Sequence, residues 1–353
     1  MALGSGSAVG MDIGTSAIRV AEVTSGRGGA SLVRFGQAAL PEGAVVDGEI
    51  VDAGHVSETV AQLMKRTKVR SRKAILGIAN QRVVVRQVDL PYLDEKEFRA
   101  SLRYQAADHI PMSTEDAELD FIVLEDYTTD AGDRMMRVLL IAAATDMVDS
   151  FVSSASAGGV SAAGVDLVPF AVARAVSSAA RGETGIAGSE AVIDVGAGIT
   201  NIFVHHNGEP RFVRILVVGG DDVTAALADA LGVSSEEAEA VKLDLGRDVG
   251  SDEARRVLDR HVDGLVDEIQ GSLDYYLSQE DSEPVASVLV TGGGSLTAGL
   301  VQKLEEALKT QVRTATPLSE VSVSKSGLTE EQVEQIEPVA AAAVGLALGA
   351  LRS

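Results

Sequence analysis

Gly10-Met11-Asp12-Ile13-Gly14-Thr15-Ser16-Ala17-Ile18-Arg19 stands near the start of the chain, and Val192-Ile193-Asp194-Val195-Gly196-Ala197-Gly198-Ile199-Thr200-Asn201-Ile202 stands at its middle. Each is an apolar run of β-type residues, an Asp, a Gly turn with small or hydroxyl residues, and a second apolar run. The pattern predicts strand, tight turn, strand. Glycines let backbone N–H groups come close to a phosphate. An Asp at the strand end suits a hard cation such as Mg²⁺, usually through water. Two such hairpins facing each other predict a phosphate clamp around a nucleotide.

A third unit supports this. Val285 to Val290 form an apolar run, followed by Thr291-Gly292-Gly293-Gly294-Ser295 and a helical pattern over 296–308. The glycines would bring backbone to a ligand at a helix N-terminus, where the dipole favours an anion. The phosphate motif Gly-x-x-x-x-Gly-Lys-Ser/Thr is absent. Gly196-Ala197-Gly198 has Asn201 where a dinucleotide fingerprint needs its third Gly, and it leads into a strand rather than a helix. Nicotinamide chemistry is disfavoured on that ground.

Composition bounds the answer. At 353 residues the chain exceeds one ordinary core, so two lobes are expected. Aromatics are 3% and Trp is absent, so Ala, Val, Leu and Ile must fill the core. With no Cys there is neither a disulfide nor a thiolate site. A formal charge of −22 argues against nucleic-acid backbones and, over most of the surface, against anionic lipids. Lys65, Arg66, Lys68, Arg70, Arg72 and Lys73 form a local basic exception, read first as a solvated helix end and second as a partner or lipid contact. The five His residues show no metal-ligand spacing, and His205-His206 is read as a solvated turn. No signal peptide is visible, and the apolar stretch over 339–351 is shorter than the roughly 20 residues of a membrane span. A soluble cytoplasmic protein without direct membrane insertion is expected.

Along the chain, strands alternate with helices over 1–82. Residues 83–159 read as a β-α-β-β-α insertion, and 160–186 return to the first lobe. Residues 181–189 read as a polar, Gly-rich linker. The second lobe spans 187–353, with a charged helical subdomain at about 233–282.

The order of these units resembles the actin/sugar-kinase/heat-shock-ATPase superfamily: an α/β, two-lobe actin-like ATPase fold built from duplicated RNase H-like domains. The insertion resembles the FtsA-like branch. Within it, Val88-Asp89-Leu90-Pro91, Glu97 and His109-Ile110-Pro111 resemble the PilM family of type IV pilus assembly, as do 41–50 and Gly345-Leu346-Ala347-Leu348-Gly349. The resemblance covers nearly the whole chain.

It implies ATP and Mg²⁺ as cofactors. Asp12 and Asp194 match the metal-side carboxylates. Gly14, Thr15, Ser16 and Arg19 match the first phosphate loop; Gly196, Ala197 and Thr200 match the second, with Gly219 and Gly220 as a nearby turn. Glu239 and Lys242 match a pair at ribose and adenine, and Gly292, Gly293, Gly294 and Ser295 match the adenosine loop. Relatives carry Glu-Pro after the insertion, where this chain has Val168-Pro169. Asp166, the nearest carboxylate, is then the candidate for placing water, and slow hydrolysis is expected.

The implied partner is the cytoplasmic N-terminal tail of a PilN-like inner-membrane protein, lying between first lobe and insertion, with self-association possible. The protein would sit at the inner membrane through that partner. Two rivals remain: an FtsA-like filament-forming division protein, and a small-molecule kinase of the same superfamily. The first uses a C-terminal amphipathic helix, which is not expected after Leu351-Arg352-Ser353.

Overall fold

The computed structural model describes residues 6–26, 29–177, 188–247, 249–279, 282–319 and 321–351. In the first lobe β1 (Ser7–Ile13), β2 (Ala17–Gly26) and β3 (Gly29–Ala39) form an antiparallel meander. After the short pair β4 (Val45–Val46) and β5 (Glu49–Ile50), α1 (Ala53–Thr67) leads to β6 (Lys73–Ile78), parallel to β1. Asp52 caps α1 by accepting from His55 N–H, and Val56, Val60, Leu63 and Met64 form its buried stripe. The insertion follows as β7 (Val83–Pro91), α2 (Glu95–Ala106), β8 (Ala117–Thr128) and β9 (Arg134–Ala144). Its sheet order is β7-β9-β8. Then α3 (Thr145–Ala157), β10 (Ser161–Leu167) and α4 (Val168–Val176) complete a sheet of order β10-β6-β1-β2-β3.

The second lobe repeats this plan. Its strands are β11 (Ser189–Val195), β12 (Thr200–His206) and β13 (Glu209–Leu216), then, after α5 (Gly220–Leu231), α6 (Ser235–Leu245) and α7 (Asp252–Leu277), β14 (Val285–Thr291). α8 (Leu300–Leu308) and β15 (Val312–Thr314) close the order β13-β12-β11-β14-β15, the counterpart of the first sheet read from β3 to β10. The duplicated hairpin is thus the visible part of a duplicated sheet. β1 and β11 are central in their sheets and buried over nearly their whole length, as strands covered on both faces must be.

Finally α9 (Glu330–Ile336) and α10 (Ala341–Ala350) return the chain to the first lobe. α10 is apolar all round and buried from Ala341 to Leu348. A Cβ on Gly345 would lie 1.8 Å from the Ala171 carbonyl oxygen, so Gly is required where α10 crosses α4. Among the described residues no single helix is long and apolar enough to cross a membrane.

Several expectations need correction. By sequence pattern α3 falls within the 83–159 insertion, yet its Met147, Phe151 and Ala155 are buried in the first-lobe core with Val56, Val60 and Leu63 of α1. The inserted sheet unit therefore closes at Ala144, with its own core of Leu90, Phe98, Leu102, Ile110 and Val138. The helix expected over 296–308 is interrupted. Gly293–Leu296 is a 3₁₀ turn, and α8 starts only after Gly299, whose φ of +82° ends any continuous helix. The charged helical stretch at about 233–282 needs no such correction; it holds α6 and α7. His205 lies on β12 with no exposed surface, not in a solvated turn; it pairs across the hairpin with Glu190. The linker expected at 181–189 falls largely outside the described residues.

Candidate functional site

The two hairpins meet at one cleft of about 1240 Å³, larger than the roughly 300–1,000 Å³ of an ordinary small-molecule site. Each turn is closed by the same bond: Gly14 N–H to Ala17 C=O at 3.1 Å, and Gly196 N–H to Ile199 C=O at 2.8 Å. The loops approach each other so closely that a Cβ on Gly198 would stand 2.9 Å from Thr15 Oγ1.

Register decides which residue stands opposite each Asp. Asp12 faces Arg19, and Asp194 faces Asn201. Arg19 Nη1 is 3.6 Å from Asp12 Oδ2, while Asn201 Nδ2 donates to Asp194 Oδ2 at 3.0 Å. Burial pushes the Asp12 carboxyl above its ordinary value, and the Arg19 charge and hydrogen bond pull it back. Burial pushes Asp194 up to about 6 against the Asn201 hydrogen bond, and the Asp12 charge adds to the rise. Arg19 Nε and Asn201 Oδ1 are buried without partners. A donor and an acceptor therefore stand uncompensated on the cleft wall beside two carboxylates.

The far wall is built by α5, α6 and the Gly triplet. The α5 N-terminus caps the second hairpin loop: Gly220 N–H donates to Gly196 C=O at 3.0 Å and Asp221 N–H to Ala197 C=O at 2.8 Å. A Cβ on Gly219 would overlap Ala197 C=O at 2.2 Å. Lys242 Nζ binds Glu239 Oε2 at 2.6 Å, Thr224 Oγ1 at 2.8 Å and Gly220 C=O at 3.0 Å. Gly292 has φ +88°, and a Cβ there would lie 2.6 Å from Asp194 Oδ1. Leu243 and Leu296 line the cleft although they are 50% and 58% exposed, offering apolar faces beside the polar loops.

Of the residues singled out from sequence, Asp12, Gly14, Thr15, Ser16, Arg19, Asp194, Gly196, Ala197, Gly220, Glu239, Lys242, Gly292, Gly293 and Gly294 line the cleft. Four do not. Thr200 is buried and turns its hydroxyl to Val218 C=O at 2.8 Å. Gly219 supports the loop from behind. Ser295 donates back to Gly292 C=O at 2.6 Å. Asp166 is bound by the Arg174 guanidinium and accepts from Leu167 N–H at 2.8 Å. The strand ends at Leu167 and α4 begins at Val168, so the same-face rule of a strand does not relate positions 166 and 168. Val168 lines the cleft and Asp166 does not. Asn201, Leu243 and Leu296 were missed. Asn201 was findable by counting register from Asp194. The two leucines are apolar residues on otherwise polar surface, each next to a residue already picked.

A two-lobe α/β molecule with twin Asp-Gly hairpins and a Gly loop around one interlobe cleft has the actin-like ATPase fold. Solved structures agree: MreB5 of Spiroplasma citri bound to ADP superposes with a TM-score of 0.50 at 13% identity, over 88% of this chain and 92% of that one. Cell division protein FtsA of Bacillus subtilis is 24% identical over 88% of this chain and 78% of its own length. Residues 10–351 match the family described as Type IV pilus assembly protein PilM, and the chain belongs to that family. A solved PilM-PilN type IV pilus biogenesis complex matches with a TM-score of 0.85 and 26% identity over 98% of both chains.

Proposed function

We propose that the chain is a cytoplasmic ATP-binding adaptor of type IV pilus assembly, held at the inner membrane by the N-terminal tail of a PilN-like protein. The observation that carries this is the match to the PilM-PilN complex along nearly all of both chains. The site residues fit Mg²⁺·ATP. Asp12, Asp194 and the unpartnered Asn201 Oδ1 form a hard oxygen set suited to Mg²⁺, directly or through water. Gly14, Thr15, Ser16, Gly196 and Ala197 would hold phosphates, with Arg19 Nε–H a further donor. Glu239, Lys242 and Gly292 to Gly294 would hold ribose and base, and Leu243 and Leu296 would bracket the purine.

The tail would lie between the first lobe and the inserted sheet, where an extended peptide docks by backbone hydrogen bonds and a few apolar anchors. Leu90 and Ile110 are not those anchors. Both are buried in the insertion core, and only the adjacent Pro91 and Pro111 are exposed. Leu90 and Ile110 therefore serve the insertion's own core, and the exposed Pro91 and Pro111 are what the motif offers to a partner.

Nucleotide would act chiefly as a structural ligand. The cleft has Val168 where relatives carry Glu, and Asp166 is occupied by Arg174. A missing water-positioning group costs about 10²–10⁴ in rate. Turnover should fall under about 1 s⁻¹ and stay unchanged in Asp166→Asn. Titration of the partner's N-terminal tail peptide into the chain, with and without Mg²⁺·ATP, tests the adaptor. No peptide binding in either state, or turnover well above that bound, would point to a filament protein or a kinase instead.

A further inference from the structure

The basic cluster is not absorbed by the nucleotide site or by the tail. From Thr59 to Val88 there is no Asp or Glu, in a chain with 52 of them. Lys65 and Arg66 lie in the last turn of α1, where the helix dipole accounts for them. It does not account for Lys68, Arg70, Arg72 and Lys73, which lie beyond the helix. Lys68 sits at the αL cap with φ 55°, and Lys73 opens β6.

All six side chains are exposed, while Val69 between Lys68 and Arg70 is buried and anchors the loop. Ser71 Oγ accepts from Lys73 N–H at 3.0 Å, which tightens the loop further. Arg66 donates to the Gln37 carbonyl; no described Asp or Glu lies within ion-pair distance of any of the six.

The neighbouring elements add no counter-charge. α3 carries no acid after Asp149, residues 150–165 carry no charge at all, and Arg34 is the one charged residue of β3. Ser161 N–H donates to Arg72 C=O, which brings the start of β10 to this face. The face lies at the start of β6, whereas Gly77 near the other end of that strand lines the cleft. Six like charges exposed within nine residues, at the end of α1 and the start of β6, repel one another, which an anionic surface relieves.

We infer that this face lies against an anionic lipid leaflet, as an electrostatic contact without insertion. The inference rests on the adaptor reading, which already places the chain beside a membrane. The overall charge of −22 does not forbid it. At physiological salt the Debye length is about 8 Å, so a flat surface responds to the face that touches it rather than to the total. Each Lys or Arg near an anionic leaflet contributes about 1 kcal/mol, a factor of about five in partitioning. Contact through this face would orient the chain, leaving the cleft turned away from the bilayer. It would also raise the effective concentration of a tail emerging from that bilayer.

The test is flotation of the full chain with vesicles of phosphatidylcholine alone or with phosphatidylglycerol added. Binding to the second at 0.1 M salt, and loss of it at 0.5 M salt or on pure phosphatidylcholine, is expected. Lys68→Gln, Arg70→Gln, Arg72→Gln and Lys73→Gln combined should lower partitioning about 10²–10³-fold. A control combining Lys96→Gln, Arg256→Gln, Arg313→Gln and Lys325→Gln removes the same charge from exposed positions elsewhere and should change it little. Equal losses in both variants, or no binding by the unaltered chain, would overturn the inference. Self-association that the first variant abolishes, with no lipid binding, would overturn it in favour of a second copy's acidic surface. Tail-peptide titration of both variants separates the two claims: retained peptide binding with no lipid binding sinks the lipid face and leaves the adaptor standing.

Discussion

The hairpins β1–β2 and β11–β12 share a backbone, a turn bond and a position in their sheets, yet their polar groups are placed oppositely. At the cleft end, the first hairpin sets a full cation against its carboxylate, Arg19 against Asp12. The second sets a neutral amide, Asn201, against Asp194. Four residues back the arrangement reverses. The first hairpin pairs Ala8 with Val23, and the second pairs Glu190 with His205, both buried. A duplicated fold fixes where side chains can stand. Which of them carries charge is set lobe by lobe, and the two carboxylates are therefore not equivalent.

The largest expected effect exposes that inequality. Asp12→Asn and Asp194→Asn should each weaken Mg²⁺·ATP binding about 100-fold by calorimetry, the upper range for groups acting on a metal through water. Their effects on the ligand-free chain should differ. Asp194 has a folded-state pKa raised to about 6 from 3.8. Between those values the native state holds a proton that the unfolded state has released, so stability falls as pH rises through that window. Asp194→Asn should remove this dependence and stabilise the ligand-free chain at pH 7 by on the order of 2–3 kcal/mol. Asp12→Asn should gain less, because it strips Arg19 of its counter-charge in a buried setting. Equal gains in urea denaturation would mean that Arg19 does not distinguish the two sites.

A smaller effect separates the turns themselves. A Cβ on Gly14 would meet nothing closer than 3.4 Å, while one on Gly196 would lie 2.7 Å from the Ile199 carbonyl oxygen. Gly196→Ala should destabilise by about 1–3 kcal/mol through overpacking, and Gly14→Ala by well under 1. Similar losses in denaturant midpoints would show that the second loop relaxes as readily as the first.

The contrast also explains what could be read from sequence. The Asp-Gly turns and the Gly triplet are local chemistry, so their residues were visible one by one, and the repeat implied two lobes. Thr200 and Ser295 match the family pattern by type, but a strand alternates its faces and a 3₁₀ turn folds its hydroxyl back. Neither direction is visible in a residue name. Asp166 failed because the strand-to-helix junction at Leu167 breaks the period, and because its partner Arg174 lies on the following helix. The membership of α3 in the first-lobe core is a tertiary fact. Its apolar stripe is equally compatible with covering the inserted sheet.

The smallest expected effect lies at the far end of the second hairpin. Burial alone would raise the Glu190 carboxyl, but hydrogen bonds from His205, Ser177 and Ser287 outweigh it and hold the group below its ordinary 4.5. Gly208 N–H donates to His205 Nδ1 at 3.3 Å, which leaves Nε2–H to face Glu190 Oε2 at the same distance. Ser177 follows α4 of the first lobe, so this carboxylate ties the two lobes at a point away from the cleft. A carboxylate with a lowered folded-state pKa contributes stability that is complete above 4.5 and is lost as pH falls through the folded value. Glu190→Gln should therefore cost about 1 kcal/mol at pH 7. The gap between variant and parent should close progressively as pH drops below about 4.5. The first hairpin offers the internal control, since Val23→Ala in the matching Ala8–Val23 pair, where Val23 stands in the place of His205, should cost stability by an amount that does not change with pH. A Glu190→Gln deficit that is equally independent of pH would mean that the network needs the side chain's shape and not its charge.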